Sequence, residues 1–303
     1  MEIKRQSGFK SPSEDKAWFE AWVHRLEQAN GHTYESLQID TSLGKTQIYR
    51  WDSGPNPSNT LVVFPGARTT ALVWDLDANL KQLQHPTTVY LVETNGLPNL
   101  SDGATPDIKG MGYGRWASEI IDALGLDQIY VAGASFGGLV SAKLALVSPH
   151  RIKALFWLCP GHLQPFSLSW RNLYLNLLPL IRPTTTNISK FLNGAVFCPP
   201  HHTLSTEGFQ LLLDYQQFAI TRYRDRTQKP YYIKDQLGKI ATDTYLLLGD
   251  HDPLFPAQKS EKNANLWMGD HLKEVKIHPN VGHGMETLPE ALAFINAVIK
   301  DLG

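Results

Sequence analysis

The chain has 303 residues, 42% of them hydrophobic and 19% charged, and its 28 basic and 29 acidic side chains leave a formal net charge of −1. That is enough apolar material for one large α/β domain, or for a domain carrying an inserted lobe, and it excludes a disordered chain. A near-zero charge with no basic stripe provides no attractive field for nucleic acid or anionic lipid, so neither is expected as a partner.

The first residues, MEIKRQSGFKSPSEDK, carry charge but no apolar run and no small-residue cleavage site, which sets a cytoplasmic location as the expectation. Residues 14–29 place Trp18, Phe19, Trp22, Val23 and Leu26 at helical spacing, the pattern of an amphipathic helix docked on a core. Two short strand patterns around TYESLQID and KTQIYRWD, with a turn at Leu43-Gly44, read as a hairpin. A Pro/Gly/Asn loop, DSGPNPSN, follows.

Near-continuous apolar runs then appear at 61–65, 88–93, 129–133, 154–159 and 244–249, and LKEVKIH reads as a further strand. Short runs rich in β-branched and aromatic residues suit strands buried on both faces, as in a parallel sheet. Helical patterns at 70–84, 113–125, 136–148 and 286–301 alternate with them. Strand alternating with helix predicts a mostly parallel central sheet with helices on both faces.

One interval breaks the rhythm. Between Cys159 and Thr244 the texture is helical, leucine-rich and aromatic, with a helix expected from Thr206 to about Thr221 and no clear core strand. A connection that long inside a compact domain carries its own structure and often covers a site. The expected division is a core of 1–160 and 241–303 with an inserted helical lid at 161–240. Its apolar stretch near 173–181 is too short and too polar to span a bilayer. The two cysteines, Cys159 and Cys198, read as buried thiols, and no zinc-type spacing occurs.

The sharpest local signal is Gly133-Ala134-Ser135-Phe136-Gly137-Gly138, between a strand and a helix. This is a G-x-S-x-G elbow in its strand–turn–helix setting: a tight turn pushes the serine clear of the sheet, and bulk at 133 or 137 would strike a neighbouring helix or strand. Ser135 would then sit at a helix N-terminus, where dipole and free N–H groups favour developing negative charge. A serine hydroxyl needs a base. Downstream, Gly249-Asp250-His251-Asp252 and Gly282-His283-Gly284 each follow a strand, at the carboxyl ends where open α/β sheets assemble their sites. His283, between two glycines, reads as a base on a loop free to aim its ring, and Asp250 and Asp252 compete for the acid.

These residues, with Phe64-Pro65-Gly66-Ala67, make the chain resemble α/β-hydrolase-fold proteins, and in particular it is similar to the small bacterial carboxylesterases of that superfamily. The similarity runs from the first helix to the last and is weakest in the lid. The resemblance implies Ser135 as nucleophile, His283 as general base and Asp252 as the carboxylate that orients the imidazole. It also implies an oxyanion hole made by the backbone N–H groups of Phe136 and Ala67. Two departures stand out: Pro65-Gly66 replaces the customary His-Gly, and Glu93-Thr94-Asn95-Gly96 replaces Asp-x-x-Gly. Glu93 is expected to hold loop backbone.

Other features take plainer readings. His201-His202 lack a carboxylate or cysteine partner and read as loop residues, not metal ligands. Arg222, Arg224 and Arg226, interspersed with Asp225, read as a solvated face; Arg68 has the better claim to the pocket. Trp74 and Trp157 read as packing.

The expected function is hydrolysis of carboxylic esters of small hydrophobic acyl groups through an acyl-serine intermediate, on a small-molecule substrate and with no cofactor or metal. The alternatives are another triad-based acyl or C–C hydrolase or acyltransferase, and a non-catalytic binding protein on the same fold. A serine at the elbow disfavours dehalogenase and epoxide hydrolase chemistry, which uses a carboxylate there.

Overall fold

A computed structural model describes residues 8–224 and 229–303. Asp225 and Arg226, and the first seven residues, lie outside the described residues. Helix α1 (Pro12–Asn30) leads into the hairpin β1 (Glu35–Thr41) and β2 (Gly44–Asp52). There follow β3 (Asn59–Phe64), β4 (Thr87–Val92), α2 (Gly112–Ala123), β5 (Ile129–Ala134), α3 (Phe136–Val147) and β6 (Ile152–Leu158). The chain closes with β7 (Thr244–Gly249), β8 (Leu272–His278) and the final helix (Pro289–Leu302). The eight strands form one sheet in the order β1-β2-β4-β3-β5-β6-β7-β8, in which β2 runs antiparallel to both its neighbours β1 and β4 and every other pairing is parallel.

The apolar runs are continuous because each central strand feeds two cores. Leu61 and Val63 of β3 point to the side of α1 and the final helix, whereas Val62 and Phe64 point to the side of α2 and α3. Strand β5 divides the same way, with Tyr130 and Ala132 on one side and Ile129 and Val131 on the other. Alternate side chains on opposite faces, both buried, leave no polar position. The outer strand β8 reads LKEVKIH, with Leu272, Val275 and Ile277 half-buried against the core and the exposed charges of Lys273, Glu274 and Lys276 guarding an open edge.

Two local expectations change. The pattern at 70–84 forms tight 3-10 turns across Ala71–Gln82, broken where Asp77 and Ala78 take positive φ of 58° and 56°. The break is held by side chains. The buried Asp75 carboxylate accepts the Leu80 N–H at 2.8 Å and the Tyr34 hydroxyl, while Asn30 accepts the Ala78 N–H at 2.9 Å. A further helix, Ala257–Trp267, goes unseen in the sequence because its buried face is Ala257, Ser260 and Ala264, too small to make an apolar stripe. Numbered in chain order, the helices between β6 and the C-terminus are α4 (Trp170–Ile181), α5 (Thr185–Phe191), α6 (Thr206–Arg222), α7 (Ala257–Trp267) and α8 (Pro289–Leu302).

The stretch between β6 and β7 is helical, and its parts are held unequally. Helix α6 lies on α1: Trp18 stacks on Phe218 with ring centroids 4.0 Å apart, and the Trp22 indole donates to the Leu211 carbonyl at 2.9 Å. Residues 231–240 return to the other core through Ile233, Leu237 and Ile240, where the buried Lys143 ammonium donates to the Tyr231 hydroxyl and the Gln236 amide oxygen. Helix α4 buries only Asn172, Leu175 and Pro179 and leaves Trp170 at 87% and Ile181 at 74% exposure. Among the described residues no helix is long and apolar enough to cross a membrane.

The α1–α6 clasp is testable. Phe218→Ala should lower the unfolding free energy by about 3–5 kcal/mol, since a buried aromatic is lost without a route to collapse the void. Urea unfolding checks this, and a loss under about 1 kcal/mol would show that α6 contributes little to the core.

Candidate active site

Ser135 occupies the turn between β5 and α3 with φ 49° and ψ −108°, a conformation that costs a non-glycine residue on the order of 1–3 kcal/mol. Backbone bonds hold it there. The Ser135 N–H donates to the Leu158 carbonyl at 2.9 Å, and the Ser135 carbonyl accepts from Gly138 at 3.2 Å and Gly161 at 2.9 Å. Gly137 makes the turn possible: a Cβ there would lie 2.1 Å from the Phe64 carbonyl oxygen, so α3 packs directly on the end of β3.

The same packing brings the loop after β3 beside the serine. A Cβ placed on Gly66 would stand 3.5 Å from the Ser135 Cβ. Ala67 is exposed on the wall of the cavity that Ser135 also lines. Phe136 is buried and is the first residue of α3, where a backbone N–H has no acceptor within its own helix.

His283 lines this cavity, and its Nδ1 lies 2.7 Å from Asp252 Oδ2. Asp252 is buried, and its other oxygen accepts the N–H groups of Leu254 at 2.8 Å and Phe255 at 3.1 Å. Asp250 goes elsewhere, to His251 Nδ1 at 2.6 Å and the Val281 N–H at 3.3 Å. Of the two competing carboxylates, Asp252 is therefore the one on the imidazole. Among the described residues the Ser135 hydroxyl makes no hydrogen bond to the ring, although both face one cavity. Such contacts are often loose until substrate is bound. Burial opposes charging the imidazole, but the charge and hydrogen bond of Asp252 outweigh it and hold His283 above the ordinary histidine value.

The loop of His283 is pinned rather than free. Its backbone N–H donates to the Ala195 carbonyl at 2.9 Å and that of Gly284 to the Val196 carbonyl at 2.8 Å. Gly282 is small for this reason: a Cβ there would come within 2.6 Å of the Val196 oxygen.

Glu93 holds loop backbone, as expected. It is fully buried, accepts the Thr70 hydroxyl and the Ala71 N–H at 3.1 Å, and so fixes the chain just beyond Ala67. Burial raises its pKa to about 8 against the opposing pull of those hydrogen bonds. Arg68 lines the cavity; Trp74 and Trp157 are buried packing. Arg222 lies 3.8 Å from Asp15, away from the cavity lining.

Two residues lie near the chemistry without a sequence signal that places them there. Glu286 lines the cavity beside His283, and burial raises its pKa. Cys159 is a buried thiol whose sulfur lies within 4.8 Å of the Asp252 and His283 ligand atoms. These three are the metal-binding candidate among the described residues, and the chemistry is poor for it. Asp252 and His283 are already bonded to each other, and burial holds the thiol well above its ordinary pKa, against the thiolate a metal requires.

Comparison with known proteins agrees with this architecture. Residues 105–188 match the model of the α/β hydrolase fold family. The chain is 24% identical over 252 residues to the uncharacterized carboxylesterase nap of Bacillus subtilis, covering 82% of this chain and 80% of that protein. It is also 24% identical over 273 residues to a 2-hydroxy-6-oxononadienedioate/2-hydroxy-6-oxononatrienedioate hydrolase of Paraburkholderia xenovorans, covering 83% and 89%. The crystal structure of naproxen esterase from Bacillus subtilis superposes with a TM-score of 0.75 at 21% identity, over 95% of this chain and 98% of that one. The chain has the α/β-hydrolase fold.

Glu93 gives a prediction with a definite sign. Its folded pKa is about 8 against 4.5 for an unshifted glutamate, so between these values the folded state holds a proton that the unfolded state has lost. Stability contributed by the protonated form is complete below the lower value and drains away as pH rises through the window. Glu93→Gln should flatten that slope, gaining on wild type by on the order of a few kcal/mol between pH 5 and pH 8. Parallel urea titrations at the two pH values decide it; identical slopes in both proteins would refute a buried neutral carboxyl.

Proposed function

We propose that this chain, an α/β-hydrolase-fold protein similar to bacterial carboxylesterases, hydrolyses carboxylic esters through an acyl intermediate on Ser135. The observation that carries the reading is the Asp252–His283 hydrogen bond on the wall of the cavity that Ser135 enters from a strained strand–helix turn.

In the first half-reaction the Ser135 oxygen bonds to the ester carbonyl carbon as its proton passes to His283 Nε2. The carbonyl oxygen becomes an anion, and the backbone N–H groups of Ala67 and Phe136 stabilise it at the end of the helix dipole. Collapse breaks the bond to the alcohol oxygen, which takes the proton from His283. Water then adds to the acyl-serine, giving its proton to His283 and then releasing the carboxylic acid as that proton returns to Ser135. Asp252 fixes the tautomer that leaves Nε2 free as base and stabilises the imidazolium between transfers.

The described residues of the 161–240 stretch act as a lid over the acyl group. Leu173, Leu177 and Leu180 of α4, Leu212 and Ile220 of α6, and Phe191 line the cavity, which supports hydrophobic acyl groups in preference to sugars or charged peptides.

Three outcomes follow. Ser135→Ala should lower p-nitrophenyl butyrate turnover by about 10³–10⁶-fold and abolish labelling by a fluorophosphonate probe. Equal rates in the two proteins would remove the proposal, and a wild type that neither labels nor turns over would favour a binding protein. Because the base must be neutral, kcat/KM should fall as pH drops through a His283 pKa above the ordinary 6.5. Asp252→Asn should move that limb to lower pH and reduce kcat by about 10³–10⁴-fold; an unmoved limb would contradict the pairing. Leu177→Asp, at a half-exposed position, should raise KM for p-nitrophenyl hexanoate about fivefold while sparing the acetate ester. A variant with both esters equally affected would place Leu177 outside the acyl path.

A further inference from the structure

His202 belongs to the stretch between β6 and β7, 80 residues from the loop of His283, yet it is 2% exposed and packed against that loop. Its Nδ1 accepts the Gly282 N–H at a long 3.4 Å, and its Nε2 lies 3.1 Å from the Thr287 hydroxyl oxygen. The Thr287 hydroxyl in turn donates to the Gly284 carbonyl at 2.8 Å.

A single tautomer satisfies every one of these contacts. With Nδ1 bare and Nε2 protonated, His202 receives from Gly282 and gives to Thr287, which gives to Gly284. The relay begins one residue before His283 and ends one residue after it. The ring is neutral near pH 7, because burial, with the neighbouring His278, lowers its pKa to about 4. The base therefore stays bare for Gly282. Its own segment is set by reciprocal backbone bonds between Cys198 and His202, each 3.0 Å, and its ring meets Phe197 edge-on at 5.1 Å. The His283 and Gly284 N–H groups bond to Ala195 and Val196 of the same segment.

We propose that His202 is a positioning residue that holds the backbone on both sides of His283, so that the segment 195–202 forms part of the catalytic framework. This rests on the reading of His283 as the base. The adjacent His201, exposed and without this contact, has no such role.

The test compares His202→Phe, which keeps an aromatic ring beside Phe197 but loses both bonds, with His202→Asn, whose amide oxygen can still accept from Gly282. Displacing a base by a fraction of its hydrogen-bond length is a transition-state defect, so kcat should fall about 10- to 100-fold in His202→Phe with KM within twofold. His202→Asn should recover most of it. Thr287→Val, which cuts the far end of the relay by a smaller change, should produce the same kcat-only loss and keeps the test open should the Phe variant misfold. The low-field proton resonance of His283 Nδ1–H, bonded to Asp252, supplies a readout independent of turnover. It should shift or exchange faster in His202→Phe and Thr287→Val and return towards wild type in His202→Asn. An unmoved resonance together with unchanged kcat in folded variants would overturn the proposal, as would Asn being no better than Phe. A resonance that responds as expected in a protein inactive on esters would instead retain the relay and overturn the hydrolase reading.

Discussion

The positive φ at Ser135 is the constraint on which the rest of the molecule turns. No isolated β–α junction would hold a serine there, and the surrounding structure removes every alternative. Leu158 of β6 holds its N–H, Gly138 and Gly161 hold its carbonyl, and α3 is pressed onto β3 through Gly137. Those contacts need β3, β5 and β6 adjacent and parallel, which in turn needs a core on each face of the sheet. The strain is local, but what maintains it is spread over some of the most deeply buried strands in the fold.

Electrostatics around this point are arranged by opposite means on its two sides. Beside the loop that carries Ala67, Glu93 is fully buried and has no cation partner among the described residues, so it is held neutral and serves as a hydrogen-bonding strut. Across the cavity, His283 is also largely buried but has a carboxylate at 2.7 Å, so its charged form is favoured. One carboxyl is thus kept from ionising, and another remains in contact with the imidazole and favours its charged form. Burial alone would have pushed both residues towards neutrality; the presence of Asp252 decides the difference.

How far this could be read from sequence depends on how far apart in the chain the causes lie. The strands and the elbow were legible because two-faced burial writes itself as short apolar runs and the Gly–Ser–Gly turn is complete within five residues. The choice between Asp250 and Asp252 needed the family pattern, since both follow the same strand, and the geometry separates them by which one faces the ring. The kink at Asp77 was invisible because its determinants, Asn30 and Tyr34, sit more than forty residues upstream. Helix α7 was invisible because its buried face is built of alanine and serine. The glycines around His283 mislead for a related reason. Flanking glycines suggest freedom, yet here they admit the Val196 backbone and remove it.

That close approach alters how the stretch between β6 and β7 is to be understood. A cover that merely lay over the cavity would touch the core through side chains and could lift away as a body. This one accepts the His283 and Gly284 N–H groups of the imidazole loop on the Ala195 and Val196 carbonyls and clasps α1 through Phe218, so most of it is fixed to the elements it covers. Helix α4 differs, with three buried residues and an outward face of Trp170, Tyr174 and Ile181. Its inward residues Leu173 and Leu177 still line the cavity. The energetic asymmetry places the freedom to reshape the cavity wall on α4, because adjustment on the α5–α6 side would move the His283 imidazole as well.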